Sequence, residues 1–188
     1  MKNVLILIIG KPGAGKTFAA KAIKKRFRAR MFKTGDIIRD EIRRRGLRYT
    51  PENDTKMRLW FHHGREQQII GRLWKKIKKP KGIIVIDGIR SPKQLKVLRK
   101  FYKGKIVVVM VKSSFNARTR RSKKRARFGK KETEKYLKER DKSELSKLVG
   151  LKMMMKRADY TIDNSHLTKR QMESKAVKVV KRILESST

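Results

Sequence analysis

There is no cysteine among the 188 residues, which excludes disulfides and thiolate metal sites as sources of stability or chemistry. Carboxylates are scarce too: 16 Asp and Glu stand against 55 Lys and Arg, a formal net charge of +39. Long apolar runs are also missing. A bilayer span needs about 20 apolar residues, whereas the opening block Val4-Leu5-Ile6-Leu7-Ile8-Ile9 is far shorter. Behind Met1-Lys2-Asn3 that block has the look of a signal peptide, but it runs straight into a glycine-rich turn and reads as a core strand. The expectation is a cytoplasmic protein with no membrane partner. The length suits one compact domain, and no repeat or linker divides it.

The excess of base draws in nucleotides and any polyanion, RNA included, but says nothing about fold. A solvated basic surface and weak, nonspecific RNA binding both fit it.

What is present is sharper. The strand-like run is followed by Gly10-Lys11-Pro12-Gly13-Ala14-Gly15-Lys16-Thr17 and then by a helical segment from Phe18 to Phe27. Strand, G-x-x-x-x-G-K-[ST] and helix in that order are the context of a phosphate-binding loop. Its glycines turn backbone N–H groups inward on a polyphosphate, and the helix adds its own unpaired N–H groups. Gly10, Pro12, Gly13, Ala14 and Gly15 are therefore expected to cradle ATP. Lys16 reaches the β- and γ-phosphates, and the Thr17 hydroxyl holds Mg²⁺.

Further along, Ile83-Ile84-Val85-Ile86-Asp87 and Ile106-Val107-Val108-Val109-Met110-Val111 are apolar throughout and separated by helical stretches. That pattern predicts a parallel sheet covered on both faces. Met31-Phe32-Lys33 and Ala158 to Asn164 add two shorter strands. The fold class expected is α/β: three layers, about five parallel strands, helices on both faces. Asp36 is expected to cap one helix that Gly46 ends, while Thr50-Pro51, Ser91-Pro92-Lys93-Gln94 and Thr168 to Gln171 open others. Met153, Met154 and Met155 read as core filler. His62 and His63 read as surface histidines at a helix break, because neighbours on a helix diverge by roughly 100° and chelate poorly.

Two segments carry a resemblance. Thr34-Gly35-Asp36 followed by Arg39 resembles the nucleoside monophosphate-binding segment of adenylate kinases, and Asp87-Gly88-Ile89-Arg90 resembles their Asp-Gly-x-x-Arg segment. The whole chain is similar to an archaeal family of P-loop kinase-like proteins related to adenylate kinase and dephospho-CoA kinase. The likeness runs through Thr50-Pro51-Glu52-Asn53, Glu139-Arg140-Asp141 and Ala158-Asp159-Tyr160 to Asn164. It implies a P-loop kinase fold with a helical acceptor-binding insertion over residues 36–78 and a lid over 116–131. It also implies substrate binding by Thr34, Asp36, Arg39 and Arg90. Arg39 and Arg90 suit an acceptor phosphate, which a guanidinium grips bidentately.

Asp87, at a strand end beside the loop, is placed to hold Mg²⁺ or orient the acceptor. Asp36 is where two acceptors part: the resemblance to dephospho-CoA kinases implies an aspartate near an acceptor hydroxyl, whereas beside an acceptor phosphate it is structural or a distant Mg²⁺ partner. In the lid, Arg118 and Arg121 lie one helical turn apart and are expected to face one ligand, with Arg140 joining from the far side. The segment departs from the family's pattern in lacking an acidic pair. Asn164 is a candidate adenine contact.

The leading expectation is ATP-dependent phosphoryl transfer to a small nucleotide-like acceptor, with ATP and Mg²⁺ bound. The alternatives are an RNA- or ribosome-associated ATPase switch and a nucleotide-binding protein with little turnover.

Overall fold

A computed structural model describes residues 3–124, 133–146 and 150–186. The expected lid falls partly inside that range, and residues 125–131 lie outside the described residues. In chain order the elements are β1 (Val4–Ile9), α1 (Lys16–Phe27), β2 (Arg30–Lys33), α2 (Thr34–Arg44), α3 (Pro51–His62), α4 (Glu66–Ile77) and β3 (Ile83–Asp87). There follow α5 (Pro92–Phe101), β4 (Lys105–Lys112), α6 (Phe115–Lys123), α7 (Glu134–Leu145), α8 (Leu151–Lys156), β5 (Tyr160–Asp163) and α9 (Lys169–Glu185).

The five strands form one parallel sheet in the order β2-β3-β1-β4-β5. β1 is buried along its whole length, as a central strand with both neighbours paired must be. Its side chains alternate between two cores. Leu5, Leu7 and Ile9 pack under α2–α5 and α8, while Val4, Ile6 and Ile8 pack under α1 and α9. The sequence order reverses at β1, with β3 on one side and β4 on the other, and ligands of open parallel sheets bind outside the carboxyl ends at such a point. The register pairs Ile8 with Asp87, so the end of β3 stands beside the start of the glycine-rich turn.

Local signals behave as their chemistry dictates. Thr50, Ser91 and Thr168 each accept a hydrogen bond from the backbone N–H three residues on, and Thr168 with Gln171 completes a reciprocal capping box. At Ser91 the glutamine reaches back one residue further, accepting from the Arg90 N–H. Two expectations are corrected. Asp36 is not a cap: α2 begins at Thr34, because β2 runs directly into it, and Asp36 lies in the first turn. Met153 is 52% exposed, and of the three methionines Met154 alone is fully buried, since a six-residue helix presents one narrow face to the core.

Gly10 shows how tightly the loop is built into the sheet. It has φ +137°, and a Cβ there would lie 2.1 Å from the Val111 carbonyl oxygen. Gly46 also has positive φ but has open space around it. Gly10→Ala should therefore destabilise the protein by roughly 2–4 kcal/mol, against about 1 kcal/mol for Gly46→Ala. Urea unfolding of both variants checks this, and equal losses would contradict it.

Candidate active site

The loop after β1 is clamped from two sides. Asn164, buried at the end of β5, donates from Nδ2 to the Ala14 carbonyl at 2.8 Å. A side chain at Gly15 would meet that same nitrogen at 2.4 Å. From the other side, Arg118 Nη1 donates to the Pro12 carbonyl at 3.1 Å. The loop thus holds its shape through its own partners. Lys16 is folded into it, with Nζ donating to the Gly10 and Lys11 carbonyls at 2.6 and 2.9 Å. Burial lowers its pKa to about 8, with the nearby Asp87 and Glu144 carboxylates partly opposing.

Thr17 Oγ1 donates to Asp87 Oδ2 at 2.6 Å, joining the first turn of α1 to the end of β3. Among the described residues no three His, Cys, Asp or Glu side chains gather as a metal cluster. A hydroxyl beside one carboxylate is nonetheless a fit donor set for Mg²⁺, which takes few protein oxygens and completes its shell with phosphate and water.

Across from the loop, Thr34 Oγ1 donates to the Gly88 carbonyl at 2.9 Å, and Arg90 Nη1 donates to the same oxygen at 2.9 Å. A Cβ on Gly88 (φ +114°) would lie 2.3 Å from Thr34 Oγ1, so α2 and the β3–α5 turn approach as closely as glycine allows. Between this wall and the loop lies a cavity of about 440 Å³. Lys16, Lys33, Arg39, Arg90 and Arg140 border it, and among the described residues Asp87 is the one carboxylate on its lining. Tyr49 lies on the same wall, its ring 6.0 Å from the Arg39 guanidinium.

The structure thus brings together Pro12, Gly13, Lys16, Thr17, Thr34, Arg39, Asp87 and Arg90 around one space. Asp36 is not on its lining; one turn before Arg39, it forms an ion pair with that guanidinium. Asn164 holds the loop by its amide. The two lid arginines do not converge on one ligand site. Arg118 is 2% exposed and grips both oxygens of Asp141 at 2.8 and 2.6 Å. Arg121 donates to Ser113 Oγ at 2.9 Å and to the Asn164 carbonyl at 2.6 Å. Helical spacing puts the two residues on one face, but α7 supplies a carboxylate that captures only the first.

Sequence reasoning missed the group behind the arginines. Glu144 on α7 is buried against Arg58, Arg90 and Arg140, at 3.5, 3.2 and 3.2 Å. Burial opposes its charge, but the three guanidiniums outweigh burial and hold the carboxyl well below the usual range. Arg58 is also paired with Asp54, and burial lowers its pKa to about 10. His62, expected on the surface, is 4% exposed. It closes the same cluster, where burial and the neighbouring Arg90 lower its pKa to about 4. A carboxylate one turn from Arg140, in a chain this poor in acids, was the signal available.

Comparison with known proteins agrees with this architecture. A family model described as an AAA domain matches residues 9–138. A UPF0200 protein of Pyrococcus horikoshii is 33% identical over 188 residues, covering 97% of this chain and 99% of that protein. A second, from Methanocaldococcus jannaschii, is 34% identical over 166 residues, covering 86% and 81%. Among solved structures, a shikimate kinase from Acinetobacter baumannii in complex with shikimate superposes with a TM-score of 0.57 at 18% identity, covering 99% of this chain and 95% of that one. A gluconokinase from Sinorhizobium meliloti gives 0.55 at 14%, covering 99% and 98%. At those identities the likeness is one of fold. Sheet order, loop and near-full-length relatives lead to one conclusion: the chain belongs to the archaeal UPF0200 family, with an AAA-domain match and a P-loop kinase-like fold.

Proposed function

We propose that the protein transfers the terminal phosphoryl group of ATP to a phosphate oxygen of a small, nucleotide-like acceptor. The observation that carries this reading is one cavity with two kinds of wall. Lys16 and the Thr17–Asp87 pair stand on one side, and Arg39, Arg90 and Arg140 on the other. Such transfer asks for positioning and charge rather than covalent help from the protein.

The loop N–H groups and Lys16 bind the donor's phosphates, and Arg39 and Arg90 grip the acceptor's phosphate. Mg²⁺ bound at Thr17 and Asp87 would neutralise charge on the donor's phosphate oxygens. An acceptor phosphate oxygen is already anionic and needs no base. A hydroxyl acceptor would need one, yet Asp87, the single carboxylate on the lining among the described residues, is engaged with Thr17 and Asp36 is engaged with Arg39. A nucleoside monophosphate therefore fits better than dephospho-CoA.

A second reading, an ATPase switch docked on RNA, is favoured by one feature. α1 and α9 pack side by side and expose Lys21, Lys24, Lys25, Arg26 and Arg28, together with Lys169, Arg170, Lys175, Lys178, Lys181 and Arg182. Among the described residues these cations have no ion-pair partner, whereas Arg43, Arg44, Arg72 and Lys76 on α2 and α4 meet Asp40 or Glu41. The face has no exposed large apolar side chain, so it offers phosphate-backbone contact rather than base stacking.

Three outcomes are expected. In an ATP-consumption screen over nucleoside monophosphates, dephospho-CoA and RNA, turnover appears with a monophosphate, and Lys16→Ala lowers it by at least about a hundredfold with an unchanged melting curve. Turnover stimulated by RNA alone would replace the first reading with the second. Next, ATP affinity depends on pH through Lys16. Above pH about 8 the ligand-free amine is neutral, so binding takes up a proton and weakens as pH rises, while Lys16→Arg stays flat to pH ~10. Calorimetry at pH ~8.5 in two buffers of different ionisation heat measures that uptake. Finally, changing Lys21, Lys25, Lys178 and Arg182 to Glu should flatten the salt dependence of duplex RNA binding by about three to four in log–log slope. Changing Lys75, Lys78, Lys79 and Lys81 should leave it nearly as it was, and equal effects would remove the α1–α9 face from consideration.

A further inference from the structure

Most cations on the cavity wall are already engaged. Lys16 donates to its own loop carbonyls, Arg39 is paired with Asp36, Arg90 donates to the Gly88 carbonyl and Arg140 donates to Glu144. Lys33 is the exception. It borders the same cavity, and among the described residues it makes no hydrogen bond or ion pair.

The sheet sets its position. Lys33 is the last residue of β2 and pairs in register with Asp87. Register partners on neighbouring parallel strands project to the same face, about 5 Å apart. Phe32 and Ile86 pack into the core under α2–α5, whereas Met31 and Val85 pack into the core under α1. By alternation Lys33 and Asp87 therefore share the α1 face, where Thr17 donates to Asp87. Lys33 is also the residue from which α2 starts. That helix opens without a side-chain cap, and Thr34 and Gly35 border the cavity beside Lys33, so the unpaired N–H groups of its first turn favour an anion at the same place. Asp87 beside Lys33 belongs to the donor side and Thr34 after it to the acceptor wall. Lys33 stands at the seam between them.

We propose that Lys33 is a catalytic residue whose ammonium takes an oxygen of the phosphoryl group as it passes from donor to acceptor. This rests on the phosphoryl-transfer reading above. In that step the γ-phosphorus parts from the β–γ bridging oxygen, which stays on ADP with the electron pair, and bonds to an anionic oxygen of the acceptor phosphate. No proton moves. A lysine suits a group in motion, because its ammonium is a point charge on a flexible stem, whereas a guanidinium is a planar fork. Charge spread over the equatorial oxygens of the transition state rewards a contact made there above one made with either substrate alone.

Adenosine 5′-tetraphosphate tests this by binding, since its fourth phosphate extends past the donor position whatever base the acceptor carries. It and ATP are titrated calorimetrically, with Mg²⁺, into wild type, Lys33→Met, Lys33→Arg and Lys96→Met, the last altering an exposed lysine on α5. Wild type is expected to bind the tetraphosphate more tightly than ATP. Lys33→Met should weaken the tetraphosphate by roughly ten- to a hundredfold and leave ATP close to wild type. Lys33→Arg should recover most of the loss, and Lys96→Met should change neither ligand. With a monophosphate that turns over, Lys33→Met should lower kcat rather than raise KM. If it weakens ATP and the tetraphosphate alike, Lys33 serves the donor phosphates or the fold, and the inference falls. It falls too if a cooperatively melting Lys33→Met protein binds the tetraphosphate like wild type. Wild-type protein that binds the tetraphosphate no more tightly than ATP has no acceptor position for a phosphate, which overturns the phosphoryl-transfer reading and the inference with it.

Discussion

A guanidinium taken out of water must sit beside a carboxylate, and this chain has few carboxylates to give. Two of its buried acids accordingly serve several bases each. Glu41, fully buried, gathers Arg44, Arg45 and Arg72 and so ties α2 to α4. Glu144 gathers Arg58, Arg90 and Arg140 and ties α3, the β3–α5 turn and α7 together. Asp141 takes Arg118, and Asp87 takes the Thr17 hydroxyl. Such clusters add little net stability compared with a well-packed apolar core, but breaking one leaves a buried charge unmatched. Their consequence is geometric. The acids are fixed points, and the arginines extend from them along directions that the protein sets.

In the proposed reading, that arrangement gives a chain with +39 net charge a defined anion site instead of a diffuse one. Many of its lysines and arginines among the described residues are exposed. Arg90 and Arg140 are different, because a buried carboxylate holds each before any ligand arrives. Ordering a long side chain costs about 1.5–2 kcal/mol of rotamer freedom, and here folding has met that cost. Arg39 belongs to the same class through its pair with Asp36, although that pair is half exposed and holds it less firmly.

The parts legible in the sequence were those with local causes. β1 and β3 announce themselves as unbroken apolar runs because both faces of a central parallel strand are covered. The phosphate loop is readable because glycine is required where φ is positive, as at Gly13 and Gly15. Caps at Thr50, Ser91 and Thr168 follow from side chains three residues from their partners. The illegible parts depend on distant partners. The i,i+3 rule places Arg118 and Arg121 on one face of α6 but cannot say that Asp141 will meet one and Asn164 the other. His62 looked like a surface residue because the sequence shows the helix end at Gly64 and not the cluster of Arg58, Arg90 and Glu144 packed around it. Asp36 occupies a position suited to a cap or a base, and the direct run of β2 into α2 removes the first role.

The donor loop raises the opposite question, since its lysine is already satisfied. Lys16 donates to two carbonyls of its own loop, and burial holds its pKa well under that of an exposed lysine. A polyphosphate must displace at least one of those neutral partners. The exchange is favourable because a carbonyl offers a dipole and a phosphate offers full charge. The ammonium–carbonyl bond is already charge-assisted, and the phosphate adds the attraction of a full opposite charge, which a buried site screens less than water does. The loop itself does not have to form at that moment: Asn164 and Arg118 hold its Ala14 and Pro12 carbonyls from opposite sides. Arg118 is in turn held by Asp141 of α7, the helix whose Glu144 pairs with Arg90 and Arg140. Under the proposed phosphoryl transfer, that one turn of helix would set the distance between donor and acceptor phosphates, on which in-line transfer depends.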